Sequence, residues 1–420
     1  MDIQIVNPLN RVPLALIIDD SAPCINLAYY FMKQRLELKA KHPGMPIRTW
    51  EGDPNRAVES LPHSIPSDFA KKFGEWCIEQ GVKGKFSLIP CPAGLGRIDQ
   101  QISGYSRKEL SAWLDVSRNI IHKNFDITPE MLTHTVVMNL DTWEPTEEWE
   151  QVEWVNPVPE DLLIKYIATS FQILRNVGIY AEGVTSPGGF GGKMEDRYAR
   201  ATLIANKQVN KNNLPFYFHH IYIDRQLEVP VYYANPDKGE AVISIIGCTG
   251  DWFGGWTGYD LGKADKYITK DLKSGRLPEV LKAKVPCILV GHWPGIYFGG
   301  EEKGFEILKE VKRRLDMFDP DKSKTLWMKT SEIARYFAVK KICSIKPQED
   351  ECFLVHSPVS LENFTMKIIG LKASSVNINN YSLQEVYYQR DFLSNTFLVK
   401  GNDIFIAFNL IKGDTKIKVI

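Results

Sequence analysis

Apolar residues run unbroken from Leu14 to Ile18 and stop on two adjacent carboxylates, Asp19 and Asp20. A strand buried on both faces of a parallel sheet reads this way, whereas a strand with one wet face alternates. Similar runs recur at Lys85–Pro90 (KFSLIP), Met131–Leu140 (MLTHTVVMNL), Ile179–Val184, Phe216–Ile223 (FYFHHIYI), Ala241–Ile246, Cys287–Gly291 and Thr325–Met328. Between them the period turns helical. Ser67 opens a helix with Phe69, Phe73, Trp76 and Cys77 on one face and Gly81 as its stop; Ser106–Phe125 and Asp161–Val177 follow the same rule. Strand, polar loop and helix repeat about seven times, which predicts an α/β fold, a closed or nearly closed β/α barrel, with a doubly wound sheet as the alternative. Pro43–Pro66 interrupts this rhythm and is expected to be a loop over one rim. Beyond Ile345, short alternating runs such as FTMKIIGL and TKIKVI are joined by Asn, Gly and Asp turns. They predict a small antiparallel, sandwich-like β module over 345–420, after a β/α unit over 1–344.

Composition narrows the partners. Of 420 residues, 51 are Lys or Arg and 51 Asp or Glu, so no global field favours nucleic acid or an anionic membrane. No apolar stretch is long enough to span a bilayer, and the start, MDIQIVNPLNRVPLALIIDD, is not a signal peptide. Seven scattered cysteines without CxxC spacing read as reduced thiols, which together with that start predicts a cytoplasmic protein. Ten tryptophans, several beside glycines, suit a pocket whose ligand stacks on rings, as sugars do.

Chemistry gathers where strands end. Those ends present Asp19 and Asp20, His134, the glycine-rich TSPGGFGG turn, Asp251 beside Trp252, and His292 before Trp293. In β/α folds this is the edge on which active sites are assembled. Carboxylate and histidine on separate strand ends form a divalent-metal constellation with open positions, and a bound Zn²⁺ would bring the pKa of its water to about 7. Adjacent side chains leave a strand on opposite sides, so Asp19 and Asp20 are expected to divide roles, one reaching the ion and one handling a proton. By the same argument His219 and His220 face opposite ways and do not chelate one ion as a pair.

The order of these motifs from Pro13 to Ala338 resembles the polysaccharide deacetylase superfamily of carbohydrate esterases (carbohydrate esterase family 4). IIDD is similar to its first motif, LTHT to the start of its second, TSPGGFG to its third, GDW to its fourth and LVGH to its last. The resemblance implies a distorted (β/α)7 barrel that removes acetyl groups from sugars with one metal ion. Asp19 would be the general base, Asp20 and His134 metal ligands, and His292 the acid that protonates the leaving group, oriented by Asp251. Pro187 and Gly188 would line the groove and Trp252 wall the acetyl methyl. Three positions depart from the pattern: Met138 stands where the second metal histidine belongs, Thr185 replaces an arginine, and Cys248 replaces an aspartate. Asn139, beside Met138, offers a carbonyl oxygen as the third ligand, and His63 and Asp141 are further candidates. Trp256 and Trp293 are candidate sugar platforms with Trp252. The expected function is metal-dependent deacylation of a carbohydrate with zinc as cofactor. The alternatives are an impaired relative that binds glycan through its aromatic rim, and a two-carboxylate glycosidase.

Overall fold

The computed structural model describes residues 2–44, 58–349, 351–371, 373–379 and 381–420, so positions 45–57 of the expected Pro43–Pro66 loop lie outside the described residues. The strands up to residue 327 are β1 (Asp2–Ile5), β2 (Val12–Asp19), β3 (Gly84–Ser87), β4 (Phe125–Thr128), β5 (Val136–Met138), β6 (Pro145–Trp149), β7 (Gly183–Thr185), β8 (Phe216–Ile221), β9 (Val231–Asn235), β10 (Glu240–Gly247), β11 (Cys287–His292) and β12 (Thr325–Trp327). The fold is α/β with an antiparallel β region at its C-terminal end.

As the unbroken run Leu14–Ile18 requires, every residue of β2 is buried, and the strand is paired in parallel on both sides. Burying a Leu or Ile contributes about 2 kcal/mol, and four such side chains lie side by side here. One parallel sheet runs β11-β2-β3-β4, with β12 on the first residues of β2, and a second contains β7, β8 and β10 with β9 antiparallel at its edge. Backbone hydrogen bonds connect the two sheets at both flanks. Met131 and Thr185 link the β4 side to β7, Thr185 N donating to Pro129 O at 2.8 Å, and Cys248 N donates to Ile288 O at 2.8 Å beside β11.

Helices fill the connections and close as their caps dictate. Ser67–Gln80 ends on Gly81, whose φ of 66° is the left-handed cap that glycine adopts without a Cβ clash. Arg107–Val116 starts behind Ser106, whose hydroxyl accepts from Glu109 N at 3.2 Å.

One strand differs from expectation. Of Met131–Leu140 only Val136–Met138 is strand, and it pairs with β6 in a hairpin outside the parallel sheets. The parallel strand is β4, upstream. Met131 and His134 have φ of 45° and 66°, a conformation no strand contains, so the polypeptide between β4 and β5 is a tight loop.

After residue 343 two five-stranded sheets follow. Both are antiparallel except for the Gln384–Val386 and Thr396–Lys400 pair. β1 joins one of them along Leu361–Ile369, an attachment that a division into 1–344 and 345–420 does not contain. Phe353, Phe364, Met366, Ile406 and Phe408 form a single hydrophobic cluster with Ile333 and Phe337 of the helix Thr330–Ile342. Tyr336 of that helix donates to Val6 O at 2.6 Å and accepts from Thr365 N at 3.2 Å, fixing the β region to the α/β unit.

Candidate metal centre

Asp20, Glu130 and His134 bring three ligand atoms within 4.8 Å of one another. His134 Nε2 lies 2.9 Å from Asp20 Oδ1 and 3.2 Å from Glu130 Oε1. Asp20, just past β2, has a φ of 58° and donates its backbone N–H to Glu130 Oε2 at 2.9 Å. Both Asp20 and His134 thus occupy the left-handed region, a conformation that costs about 1 kcal/mol or more in non-glycine residues and gathers at functional sites. The His134 loop is anchored by buried Glu150, which accepts from Thr133 N at 2.9 Å, from His134 N at 2.8 Å and from the Tyr166 hydroxyl.

Electrostatics show what this cluster lacks. Burial disfavours charge on His134, but Asp20 and Glu130 outweigh it and hold the imidazole protonated well above its ordinary range. Burial likewise opposes ionisation of Glu130, yet His134 and Lys85 bring it down to about 2. Two buried carboxylates therefore demand positive charge, and a proton on His134 is the partial answer within the protein. His134 Nδ1 is buried without a partner. A set of two carboxylate oxygens and one imidazole suits a divalent cation, with no softness that selects zinc over its neighbours.

Asp19, one residue earlier, points elsewhere, as alternation along a strand requires. Its carboxylate contacts the ammonium of Lys85 on β3, both buried. Burial pushes Asp19 up to about 6 against the pull of Lys85. On the other side of β2, His292 lies opposite Asp19 in the β11 register. Its Nδ1 is 3.0 Å from Asp251 Oδ2, and its backbone N–H donates to Asp251 Oδ1 at 3.3 Å. Burial works against charge on His292, but Asp251 and Asp20 outweigh it and raise it to about 10.

Of these groups, Asp20, His134 and His292 line one cavity of about 1060 Å³, together with Gly188, Trp256 and Trp149 among others, while Asp19, Lys85, Glu130 and Asp251 lie behind its wall. That is room for several sugar rings, at the upper end of ordinary ligand sites.

Other expected site residues sit elsewhere. Asn139 is an exposed turn residue whose Oδ1 accepts from Asp141 N at 2.9 Å and Thr142 N at 3.2 Å, so its carbonyl is spent on the turn. Met138 is buried in the main core, its sulfur directed toward Gly94. His63 is exposed with its ring against Tyr29, and Asp141 pairs with Lys165 at 2.9 Å. The third member of the cluster is Glu130, four residues before His134, a spacing visible in PEMLTH but disguised by the expectation of a strand there. Trp293 is fully buried among Phe69, Phe73, Phe86 and Trp113 and is core, not platform. Pro187 is buried, and Trp252 packs edge-on to Tyr267 with its centroid 5.3 Å away. Neither lines the cavity as Gly188 and Trp256 do. Lys85, an unexpected site residue, was signalled only by a lysine inside the apolar run KFSLIP.

His219 and His220 also correct expectation. Opposite β10, Ile245 pairs with Phe218 and Ile246 with His220, so His219 is the extra residue of a bulge. The bulge cancels the alternation and turns both imidazoles to the same cavity, ring centroids 4.1 Å apart.

No family model and no curated protein matches the chain. Among solved structures it is similar to a mutant of a CE4 family pseudoenzyme, at 11% identity over 78% of this chain and 68% of that one, with a TM-score of 0.31. A second mutant of a CE4 family pseudoenzyme, with restored enzymatic activity, aligns at 10% identity over 78% and 69%, TM-score 0.28. The catalytic domain of a GH30 xylanase C from Talaromyces cellulolyticus aligns at 9% identity over 99% and 97%, TM-score 0.26. At these scores the functional argument rests on the side chains of the site. No helix among the described residues is long and apolar enough to cross a membrane, and no disulfide is present among them.

Proposed function

We propose that this protein is a metal-dependent hydrolase that removes acyl groups from a carbohydrate, on a distorted (β/α)7 barrel of the polysaccharide deacetylase kind with the C-terminal β region packed on it. The observation that carries the reading is the convergence of Asp20 and His134, with Glu130 behind them, and of His292 on one aromatic-rimmed cavity. A divalent ion held by Asp20, Glu130 and His134, zinc among the candidates, would supply Lewis acidity toward an acyl carbonyl. Asp19 is the base, its carboxylate poised near neutrality by burial and kept in place by Lys85. His292, charged through Asp251, is the acid that gives a proton to the departing amine or alcohol. Trp256 offers a ring to a sugar face at the mouth, and Gly188, with no side chain, lets the substrate approach the backbone.

The test is acetate release from acetylated chito-oligosaccharides and acetylated xylo-oligosaccharides, with and without added Zn²⁺ or Mn²⁺. Metal-dependent release, cut about 100-fold or more by His292→Asn, is expected. Absence of release from the metal-loaded protein would overturn the reading. The Lys85 ammonium on Asp19 favours a second reading, a glycan binder whose base is neutralised. Saturable oligosaccharide binding with no acetate release would support it.

A further inference from the structure

We propose that Glu195, His219 and His220 form a second divalent-cation site, nitrogen-rich where the first is oxygen-rich, on the wall of the same cavity. It does not depend on the hydrolase reading. One ligand atom from each of the three lies within 4.8 Å of the others, and His219 and His220 both line the cavity that holds Asp20 and His134.

Several features prepare the cluster. The bulge at His219 is what makes two consecutive imidazoles usable together. Glu195, the first residue of the helix Glu195–Asn210, sets Oε1 against His220 Nε2, while its Oε2 accepts from the Tyr217 hydroxyl. A ligating carboxylate held by a hydrogen bond on its outer oxygen is how metal sites fix the orientation of their ligands. His219 Nδ1 is buried without a hydrogen-bond partner. Gly192 makes room for the ring: a Cβ there would stand 2.3 Å from His219 Nε2. Two imidazoles and one carboxylate, with the rest of the coordination sphere facing a cavity, are a ligand set for zinc and its borderline neighbours and not for magnesium or calcium.

The experiment counts ions on the full-length chain. Protein incubated with Zn²⁺ and desalted is analysed for bound metal, and the same samples are titrated with Co²⁺ and followed by visible absorption. Wild type is expected to hold two equivalents, with Glu195→Gln and His219→Ala each reducing this to one. Asp20→Asn should also reduce it to one, leaving the Co²⁺ signal of the second site. Gly192→Ala, which pushes the His219 ring aside without removing a ligand, should weaken only the second equivalent, by about tenfold or more. Near-ultraviolet circular dichroism of each variant confirms folding, and Gly192→Ala keeps the test alive if a ligand variant misfolds. A single equivalent lost in Asp20→Asn and untouched by Glu195→Gln, His219→Ala and Gly192→Ala overturns this site and leaves the first intact. A single equivalent with the opposite pattern overturns the first and leaves this one.

Discussion

Replacing Glu130 by glutamine keeps the size of the side chain and removes one negative charge from the cluster. In the structure the positive charge it meets is on His134, with Nε2 3.2 Å from Oε1. At an effective dielectric of about 20, a unit charge pair over such a distance is worth at most about 5 kcal/mol. His134 must give up that proton before it can hold a cation, which then becomes the positive charge that Glu130 faces; the carboxamide oxygen would retain part of the attraction as a dipole, so a loss of about 3 kcal/mol in cation binding is expected, about two orders of magnitude in Kd. The comparison that gives this force is Met138→His, which restores in the sequence the histidine spacing of the resembled family. Because Met138 is core and its sulfur points toward Gly94, that change is expected to add no affinity and to cost stability. Calorimetric titration with Zn²⁺ in a Glu195→Gln background isolates one site for both variants. Wild-type-like affinity in Glu130→Gln, or a gain in Met138→His, would refute the assignment of Glu130 as the third ligand.

Asp126, buried in β4, accepts from Ser331 N at 2.5 Å and Ser331 Oγ at 2.7 Å, and burial raises it to about 7 from 3.8. A carboxyl raised on folding is stabilising below its unfolded pKa, and that contribution is lost as pH rises through the folded value. Stability should therefore fall between about pH 4 and pH 7 by up to about 4 kcal/mol from this group. Denaturant unfolding of Asp126→Asn should show a flatter pH profile than wild type over that window, and parallel profiles would contradict the assignment. Lys85→Met strands the buried Asp19 charge and is expected to cost about 3–5 kcal/mol in the same assay at pH 8; a change under 1 kcal/mol would mean that the pair is not what holds Asp19. Trp293→Ala should destabilise by about 3–5 kcal/mol as a core cavity. Trp256→Ala, which removes a half-buried ring packed edge-on to Phe31 at 5.2 Å, should cost less than that and weaken oligosaccharide binding measured by fluorescence. Equal effects of the two on stability would dissolve the distinction between core and rim.

Strands buried on both faces are the most readable part of this chain, because nothing polar interrupts them: β2 stands where Leu14–Ile18 announces it, and β11 where CILVG does. β4 escapes that reading since its second residue is Asp126, whose carboxyl is hydrogen-bonded by Ser331, 205 residues further on. A contact at that separation has no local signature. Met131–Leu140 misleads in the opposite direction: its apolar content is real, but left-handed Met131 and His134 bend it into a loop held by contacts distant in sequence, among them Glu150 and Thr185. In the C-terminal region alternation is readable in strands such as Gly413–Val419, whose exposed and buried residues alternate, whereas the membership of β1 in its sheet is not, since a four-residue strand carries no address of its partner.

The same physics separates the ligands that spacing finds from those it misses. Asp20 is found because it follows an apolar run, His134 through the LTHT resemblance, His292 because it closes β11, and Asp251 because it follows β10 by four residues. Glu130, His219 and the pairing of His219 with His220 are missed because spacing rules presuppose an ideal helix or strand. Here the carriers are two left-handed residues and one bulge. A left-handed His134 folds back so that a residue four positions earlier meets its Nε2, which a strand would carry about 13 Å away. A bulge makes neighbours in sequence neighbours on one face. Irregular backbone of this kind is unfavourable locally and persists only where surrounding contacts over-determine it, as Glu150 and Tyr166 do around His134 and Tyr217 does around Glu195. Removing the support should therefore act on the ligands without touching them. Tyr166→Phe takes one hydrogen bond from Glu150, and Tyr217→Phe one from Glu195. Tyr217→Phe, which unties a proposed ligand directly, is expected to weaken its own site by about tenfold, and Tyr166→Phe, which acts through Glu150 on the His134 loop, to weaken its own site by less, each leaving the other unchanged. Loss at both sites from either variant would show that the cavity responds as a whole, not as two separately built centres.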